Sequence, residues 1–369
     1  MKIAQIAPLY EAVPPKLYGG TERIVHYLTE ELVTQGHEVT LFATADSKTS
    51  ARLIANAKSG LRLDKSCTDT LAPHICQLHD VIQLAHEFDI LHFHIDYLHF
   101  PCTQRLNTPC VTTLHGRLDI PELQGIYRRF ILQRVISISM SQRAPLPRAN
   151  WLGTVHHGLP RSLFRMGTGK GGYLAFIGRI SPEKGVDRAI EIAIAAGMKI
   201  RIAAKIDKAD QQYYDQNIKH LFGHPLVEFI GEIDEAQKGE FLGDAKGLLF
   251  PINWAEPFGL VMIEAMACGT PVIAFKNGSV PEVIDPYRSG YIVETIGEAV
   301  EAVFKLDRIS RDGVRRVFEE RFTSSKMASN YLEIYKAVIR THQNSLNRSV
   351  KSFKTLPSFG NEGNVKKVI

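Results

Sequence analysis

Along this chain, short apolar runs alternate with longer segments in which apolar residues recur at helical spacing. Residues 3–7 form a mostly apolar run, which is typical of a buried parallel strand. A loop rich in proline and glycine follows, and Thr21 is predicted to cap a helix that ends at Gly36. The apolar residues of that helix recur every three or four positions, at Ile24, Val25, Leu28 and Leu32. Residues 37–43 then predict the next strand.

The second half of the chain repeats this order of elements. Residues 173–177 read as a strand, residues 178–185 as a loop and residues 186–196 as a helix. Gly197 ends the helix, and residues 198–204 predict another strand. Strand, glycine-bearing loop, helix, glycine and strand are the start of a Rossmann-like βαβ unit, which occurs here twice. The pattern therefore predicts an α/β protein with two Rossmann-like domains.

Shorter apolar runs extend both sheets, and a glycine-rich segment separates them. Further strands are predicted at residues 90–94, 110–114, 134–139, 155–157, 227–231, 247–250 and 271–274. Residues 167–172 contain four glycines and give the strongest linker signal. The predicted first domain spans residues 1–165 and the second spans residues 166–325. A closing helix is predicted at residues 326–345, followed by a flexible basic tail at residues 346–369.

Length, charge and cysteine content place the chain among soluble two-domain proteins. A chain of 369 residues exceeds what one hydrophobic core usually supports. The net charge is +5, but residues 341–369 carry +4 of it, which leaves the rest near neutral and gives no support for nucleic-acid binding. Five cysteines without a C-x-x-C pair indicate reduced thiols, and with no signal peptide or 18-residue apolar run they predict a cytoplasmic protein. A weak contact of the tail with acidic lipid stays open as an alternative to plain solvation.

Two glutamates eight positions apart flank a predicted helix start. Glu256 precedes the predicted helix 259–268 and Glu264 lies on its second turn, roughly 12 Å further along its axis. The backbone N–H groups of residues 258–260 lie between them at the positive end of the helix dipole. This arrangement is an anion site with an acceptor at each end. It fits the ribose hydroxyls, phosphates and sugar hydroxyls of a nucleotide diphosphate sugar. The spacing alone is explained equally well by two solvated glutamates without a function.

The sequence around this pair resembles a family signature. Residues 250–272 are similar to the Glu-x7-Glu motif of retaining glycosyltransferases of family four, which have the GT-B fold of two facing Rossmann-like domains with a cleft between them. The resemblance implies that Glu256 meets the transferred sugar and that Glu264 holds the ribose hydroxyls. It assigns the N–H groups of Phe258, Gly259 and Leu260 to sugar and phosphate. It also implies that the closing helix crosses back to the first domain.

Basic residues at strand ends of the second domain are candidates for the diphosphate. Arg179 offers a planar fork and Lys184 a point charge, in a loop at the carboxyl end of a strand. Fixed cations there would neutralise the leaving diphosphate, and the segment resembles the family's Gly-Arg … Lys-Gly clamp. Lys205, at the end of the following strand, is a further candidate for phosphate binding.

The first domain supplies the remaining candidates. Gly19 and Gly20 precede a helix start and match the family's glycine pair, which closes over the donor phosphate. His115 follows a predicted strand and matches the family histidine that contacts the transferred sugar. Candidate acceptor contacts follow neighbouring strands, at Asp96, Tyr97, Arg117 and Asp119.

The chain contains no Asp-x-Asp triplet, which often holds a divalent metal on a nucleotide sugar. With Arg179 and Lys184 present, we expect cationic side chains in place of a metal, and no cofactor. The alternative is a zinc site at His92, His94 and His99. No Cys or Glu completes that set, and a polar sheet edge is the simpler explanation.

The resemblance favours a retaining hexosyltransferase that moves a hexose from UDP-glucose, or another UDP- or GDP-sugar, to a small-molecule or glycan hydroxyl. Three runs, residues 92–97, 115–119 and 156–160, are similar to a bacterial subgroup of UDP-glucose:tetrahydrobiopterin glucosyltransferase-like enzymes. His157-Gly158-Leu159 departs from the common Asn-Gly-Ile/Val-Asp form. The alternatives are a UDP-sugar epimerase of the same fold, an enzyme acting on a lipid or polysaccharide precursor, and a catalytically silent nucleotide-sugar binding protein.

Overall fold

The computed structural model describes residues 1–16 and 19–354, with side chains up to residue 344. These residues form two parallel sheets, one from each half of the chain. The strands of the first sheet are β1 (Lys2–Ile6), β2 (Glu38–Thr44), β3 (Arg52–Ala57), β4 (Ile90–Phe93), β5 (Cys110–Thr113), β6 (Arg134–Ser137) and β7 (Asn150–Thr154). Those of the second are β8 (Tyr173–Arg179), β9 (Lys199–Lys205), β10 (Val227–Gly231), β11 (Gly247–Phe250), β12 (Val272–Phe275) and β13 (Gly290–Val293).

Helices and short turns connect the strands. The helices are α1 (Gly20–Thr34), α2 (Leu71–Leu84), α3 (Phe100–Thr103), α4 (Leu123–Arg129), α5 (Val186–Ala195), α6 (Gln211–Tyr213), α7 (Glu235–Asp244), α8 (Leu260–Ala267), α9 (Val280–Val283), α10 (Ile296–Phe304), α11 (Arg311–Arg321) and α12 (Ser324–Lys354). The 3₁₀ segments are Ala85–Glu87, Ser141–Arg143, Pro182–Lys184, Lys208–Asp210, Lys219–Gly223 and Leu306–Arg308, and Tyr214–Ile218 is a π-helical turn.

The two sheets share one strand order. It is β3-β2-β1-β4-β5-β6-β7 in the first and β10-β9-β8-β11-β12-β13 in the second, with every neighbouring pair parallel. In both sheets the order reverses beside the first strand. That reversal is where ligands of doubly wound domains bind.

The strand prediction is wrong at one place and incomplete at two. Residues 155–157 lie just beyond β7, although the N–H of Val155 still donates to the carbonyl oxygen of Ser137 at 2.9 Å. The prediction omitted β3 and β13. Both strands lie at an outer edge of a sheet, where partly exposed side chains weaken the apolar signal.

Helix α1 begins two residues earlier than predicted and has a different cap. Its N-cap is Gly19, and among the described residues no side chain caps the helix. The N–H of Arg23 donates to the carbonyl oxygen of Gly19 at 3.1 Å, which closes the first turn around Thr21. Thr21 is therefore inside the helix, where it cannot act as the cap.

Helix α12 returns from the second half of the chain to the first sheet. Tyr331 and Tyr335 on this helix are fully buried. The Tyr331 hydroxyl lies 3.0 Å from Thr113 Oγ1, and Gln5 Nε2 donates to the Tyr335 hydroxyl at 3.2 Å. Residues 346–354 of the predicted tail continue this helix, and residues 355–369 lie outside the described part of the chain. No helix in the described ranges is long and apolar enough to cross a bilayer.

Polar contacts also join the two domains directly. The carboxylate of Glu282 in α9 accepts from the N–H groups of Met140 and Ser141, both at 2.7 Å. In a second contact, Arg23 on α1 forms an ion pair with Glu235 on α7, and the Tyr27 hydroxyl donates to Glu235 at 2.6 Å. These contacts fix how the two sheets face each other.

Candidate active site

The loop between β11 and α8 carries the first predicted glutamate, and a neighbouring loop holds it in place. Gly278 has a φ of 54° and packs so closely on Glu256 that a Cβ atom would overlap the Glu256 backbone. The N–H of Ser279 donates to the Glu256 carbonyl at 3.0 Å, and its hydroxyl donates to the Phe258 carbonyl at 2.7 Å. These contacts position the Glu256–Phe258 backbone through bonds that the sequence spacing does not reveal.

Gly259 turns the chain into helix α8. Its φ of 77° lies in the left-handed region, and a Cβ atom there would stand 2.8 Å from Met262 Cε and 2.9 Å from Phe250 Cζ. The N–H groups of Phe258, Gly259 and Leu260 donate to no other group in residues 1–16 and 19–354. A helix start leaves such donors unpaired, and the helix dipole makes them suited to an anion.

Glu256, in the loop after β11, forms an ion pair with Lys184, in the loop after β8. The two side chains form a close ion pair and are 13% and 18% exposed. Trp254 braces this pair, because its Nε1–H donates to Glu256 Oε2 at 3.0 Å and its ring lies 5.0 Å from Lys184 Nζ. Lys184 reaches this position because the preceding loop packs on the β11 end, where the N–H of Asn253 donates to the Glu183 carbonyl at 2.9 Å. The structure thus brings together a predicted phosphate ligand and a predicted sugar ligand.

Arg179 and Lys205 lie beside each other among carboxylates. Arg179 is 2.8 Å from Glu183, 3.5 Å from Asp210 and 3.8 Å from Asp207. Lys205 is 2.8 Å from Asp207. Both basic side chains are about one-third exposed, so they remain open to a ligand. A phosphate would have to compete with these carboxylates for the guanidinium.

Glu264 occupies a separate position on the buried face of α8. It is 4% exposed and accepts from Lys238 Nζ at 2.8 Å. Lys238 lies on α7. The same helix carries Glu235, which pairs with Arg23 of the first domain. One oxygen of Glu264 therefore has a charged partner.

The glycine pair of the first domain approaches α8. A Cβ atom on Gly20 would lie 3.6 Å from Leu260 Cδ1, so the start of α1 faces the start of α8. Gly19 has an extended φ of 175°, so its backbone conformation does not require glycine. Close packing does, because a Cβ atom there would lie 2.7 Å from Pro15 Cβ. Burial raises the pKa of the neighbouring Glu22. Two helix starts from different domains thus lie close together.

His115 lies at the first-domain side of this region. Its ring stacks on His157 with centroids 5.3 Å apart and an interplanar angle of 16°, and His157 lies 4.9 Å from the Phe258 ring. Burial lowers the pKa of His115 to about 3 and that of His157 well below its ordinary value. Both imidazoles are therefore neutral at pH 7. Nδ1 of each is buried and has no hydrogen-bond partner among the described residues.

The candidate acceptor residues are exposed on first-domain loops. Arg117 and Asp119 form a two-pronged pair with both N–O distances at 2.7 Å. Asp96 has a φ of 49°, in the left-handed region, and Tyr97 beside it is 40% exposed. None of the four forms a hydrogen bond or ion pair with the other candidate site residues in the described part of the chain.

The sheet-edge explanation of His92 and His94 is wrong. His92 lies on β4, which runs between β1 and β5 in the interior of the sheet, and His94 follows the end of that strand. Both are buried. His92 bonds Tyr335 and Thr113, at 2.5 and 2.7 Å. His99 is also buried and bonds two threonines. Among the described side chains, no group of three or more His, Cys, Asp or Glu is arranged to hold a metal ion.

Several residues of the site carry no signal in the sequence pattern. Lys238, Glu235, Asp207 and Asp210 reach it only because separate elements meet there. Trp254 lies inside the recognised motif, two residues before Glu256, so its position in the sequence is a signal for its contact with Glu256.

A cavity of about 520 Å³ lies away from the candidate site residues. It is lined by Glu31, Arg161, Arg316, Glu319, Glu320, Thr323, Ser324 and Ser325, none of which is a predicted site residue.

Both halves of the chain match known domain families. Residues 18–160 match the model described as Glycosyltransferase Family 4, and residues 167–324 match the one described as Glycosyl transferases group 1. The two matches correspond to the first and second domains. Together they support a glycosyltransferase of the GT-B, family-four type.

Relatives with curated names agree with this assignment. A 137-residue segment is 36% identical to N-acetyl-alpha-D-glucosaminyl L-malate synthase of Bacillus anthracis, covering 35% of each chain. Phosphatidyl-myo-inositol mannosyltransferase of Mycolicibacterium smegmatis is 24% identical over 378 residues, which is 92% of this chain and 94% of that relative. The first match therefore spans about a third of its relative's length, and the second spans nearly all of it.

A solved structure supports the fold. Anabaena Alr3699/HepE in complex with UDP-glucose superposes with a TM-score of 0.69 at 18% identity, covering 91% of this chain and 100% of the other. At that identity the likeness concerns the fold alone. With the two parallel sheets described above, it confirms the predicted GT-B architecture.

Proposed function

We propose that this chain, with a glycosyltransferase domain in each half, is a retaining hexosyltransferase that uses a nucleotide diphosphate sugar. The observation that carries the proposal is the arrangement at the start of α8. Glu256 and Glu264 flank three N–H groups without a partner in the described part of the chain, and Lys184 is held against Glu256. N–H groups that can bind phosphate, placed between two carboxylates that can bind hydroxyls, match the order of hydroxyls and phosphates in a nucleotide diphosphate sugar.

The donor is placed mainly on the second domain. Glu264 would take the ribose hydroxyls, and the N–H groups of residues 258–260 would take phosphate and sugar oxygens. Arg179 and Lys184, with Lys205 nearby, would neutralise the diphosphate, which requires Lys184 to leave Glu256 and Arg179 to loosen from its carboxylates. Gly19 and Gly20 would close over the phosphates from the first domain. Because these cations meet the leaving charge, we expect no metal or other cofactor.

The transfer step follows from this placement. The bond between the anomeric carbon and the diphosphate oxygen breaks, and both electrons stay with the diphosphate. An acceptor hydroxyl then bonds to the same carbon from the same face, and its proton moves to the departing phosphate oxygen. The anomeric configuration is retained, and no side-chain base is needed. Glu256 and His115 would contact the sugar as charge develops on it.

UDP-glucose is the donor that we favour, because Anabaena HepE, which has the same fold, forms a complex with it. A small molecule is the proposed acceptor, bound on the first domain near Asp96, Tyr97, Arg117 and Asp119, as in the bacterial subgroup that the sequence resembles. We place the reaction in the cytoplasm, with no nucleic-acid partner. The relative named phosphatidyl-myo-inositol mannosyltransferase gives a specific reason to test a lipid acceptor as the second candidate.

The test is a mass-spectrometric screen of UDP- and GDP-sugars against small-molecule and lipid-linked acceptors. Glu256→Gln and Arg179→Ala chains serve as controls for a contaminating enzyme. We expect a product heavier by one hexose with UDP-glucose, and anomeric coupling constants in its NMR spectrum that match the donor configuration. An inverted product would refute the retaining mechanism. Conversion of the free UDP-sugar into an epimer without an acceptor would favour the epimerase, and a lipid-linked product would replace the small-molecule acceptor.

A further inference from the structure

A row of hydrogen bonds runs behind the proposed sugar contact. His94 Nε2 lies 2.8 Å from Gln5 Oε1, and His94 Nδ1 lies 2.9 Å from His115 Nε2. On its other side Gln5 Nε2 donates to the Tyr335 hydroxyl on α12 at 3.2 Å. The row therefore joins the closing helix, the centre of the first sheet and His115. Gln5, His94 and Tyr335 are all buried.

The chemistry of the groups fixes the direction of each bond. An amide oxygen only accepts, so His94 must donate from Nε2 to Gln5. His94 is neutral, because burial lowers its pKa well below the ordinary value, and its Nδ1 therefore carries no proton. Nδ1 must then accept the proton of His115 Nε2. His115 is neutral as well, which leaves its own Nδ1 as a bare acceptor.

Nδ1 of His115 has no partner among the described residues. An acceptor buried without a donor is unfavourable unless a ligand supplies the donor. The ring lies next to His157, which in turn contacts Phe258 in the proposed donor loop. A sugar hydroxyl that reached this position would donate to Nδ1.

We propose that Gln5 and His94 are positioning residues that hold His115 as the Nε2–H tautomer, so that Nδ1 accepts a hydroxyl of the transferred sugar. The assignment rests on the proposed function for the identity of that ligand. The other tautomer would present an N–H to the hydroxyl and would change which hydroxyl orientation fits. Tyr335 acts at the start of the row, because its oxygen holds the Gln5 amide with Oε1 toward His94.

The tautomer is measured directly on the full chain labelled with ¹⁵N-histidine. Two-bond ¹H–¹⁵N couplings of a neutral imidazole report which nitrogen carries the proton, and a His115→Phe chain assigns the signal. We expect the proton on Nε2. A proton on Nδ1 of His115 would overturn the proposal, whatever the activity of the chain.

Two matched pairs of variants test the row. His94→Phe and Tyr335→Phe remove links of the row, and both should let His115 populate the two tautomers. His99→Phe and Tyr331→Phe are the controls, since each changes a buried residue of the same type outside the bonds from Gln5 to His115. An unchanged His115 signal in both test variants, or an equal change in both controls, would refute the positioning role. Tyr335→Phe removes a single oxygen and keeps the test usable if His94→Phe fails to fold.

Donors that lack one hydroxyl test the sugar contact. We expect one deoxy-donor to lose about 3- to 10-fold in kcat/KM with the unaltered chain, the scale of one neutral hydrogen bond. That loss should be smaller in the Tyr335→Phe chain, in which only part of His115 presents a bare Nδ1, while the penalties of the other deoxy-donors stay the same. Unchanged penalties despite a changed tautomer would overturn the sugar contact. A chain that transfers no sugar would refute the proposed function and that contact, while the NMR result would still decide the roles of Gln5 and His94.

Discussion

Lys184 and Glu256 form an ion pair in the structure, although the sequence places one in a phosphate loop and the other before helix α8. Because Glu256 neutralises Lys184, a diphosphate bound as we propose would have to displace the carboxylate before it gained the cation. The carboxylate would then be released near the sugar. In the proposed function the pair therefore links arrival of the diphosphate to the freeing of Glu256.

Glu256→Gln should separate binding from turnover. The amide keeps the size of the side chain but loses its charge, so we expect UDP to bind at least as tightly and kcat to fall by about 10²–10³-fold. Calorimetry with UDP and steady-state rates measure the two effects. Glu228→Gln is the matched control, because Glu228 pairs with Lys199 and Arg201 outside the site. Weaker UDP binding in Glu256→Gln alone would contradict the competition between carboxylate and diphosphate.

Glu264→Ala should act mainly on donor binding. Ribose contacts are the same in the ground and transition states, so we expect KM for the donor to rise about 10- to 100-fold with little change in kcat, the scale of a charge-assisted hydrogen bond. Lys238→Met should shift KM in the same direction, because Glu264 is buried and Lys238 Nζ lies 2.8 Å from it. Equal effects on kcat and KM in both variants would argue against a ribose role.

Arg179 should be needed for the rate, and a divalent metal should not. We expect Arg179→Ala to lose about 10²–10³-fold in kcat, the scale of one preorganised electrostatic contact. Arg179→Lys should recover only part of this, because an ammonium group lacks the two-pronged geometry of a guanidinium. Activity should survive excess EDTA. Loss of activity in EDTA that Mg²⁺ or Mn²⁺ restores, together with a near-normal Arg179→Ala chain, would refute the role of the cation.

Stability should fall as the pH drops below about 6.5. Burial strongly lowers the pKa of five histidines, to about 3 for His99 and His115 and well below the ordinary value for His92, His94 and His157. Between pH 6.5 and 3 the unfolded chain binds protons at His99 and His115 that the folded chain excludes, so the free energy of unfolding decreases with falling pH. Each group contributes about 1.4 kcal/mol per pH unit.

Urea unfolding at pH 7.5, 6.0 and 5.0 measures this dependence. His99→Phe removes one of the five groups without touching the proposed site. Its free energy of unfolding should change with pH by about 1.4 kcal/mol per unit less than that of the unaltered chain. The same slope in both chains would show that His99 is protonated in the folded state.

The sequence by itself determined the two βαβ halves and the segment that carries Glu256 and Glu264. Apolar periodicity and turn glycines act over a few neighbouring residues, which is why residues 3–7 and 173–177 were recognised as strands. The same locality explains the errors. Outer strands such as β3 bury too little to show a clear apolar pattern, and His92 on a central strand resembles an edge residue when its partners are unknown.

Only the tertiary structure decided which charges and hydrogen bonds meet. Glu256 and Lys184 are 72 residues apart in the chain, and Gln5 and Tyr335 are 330 apart. Contacts of this kind depend on how sheets and helices pack, because a side chain's partner is set by position in space and leaves no period in the sequence. The motif therefore located the candidate site, whereas packing set the ionisation of its histidines and the partners of its cations.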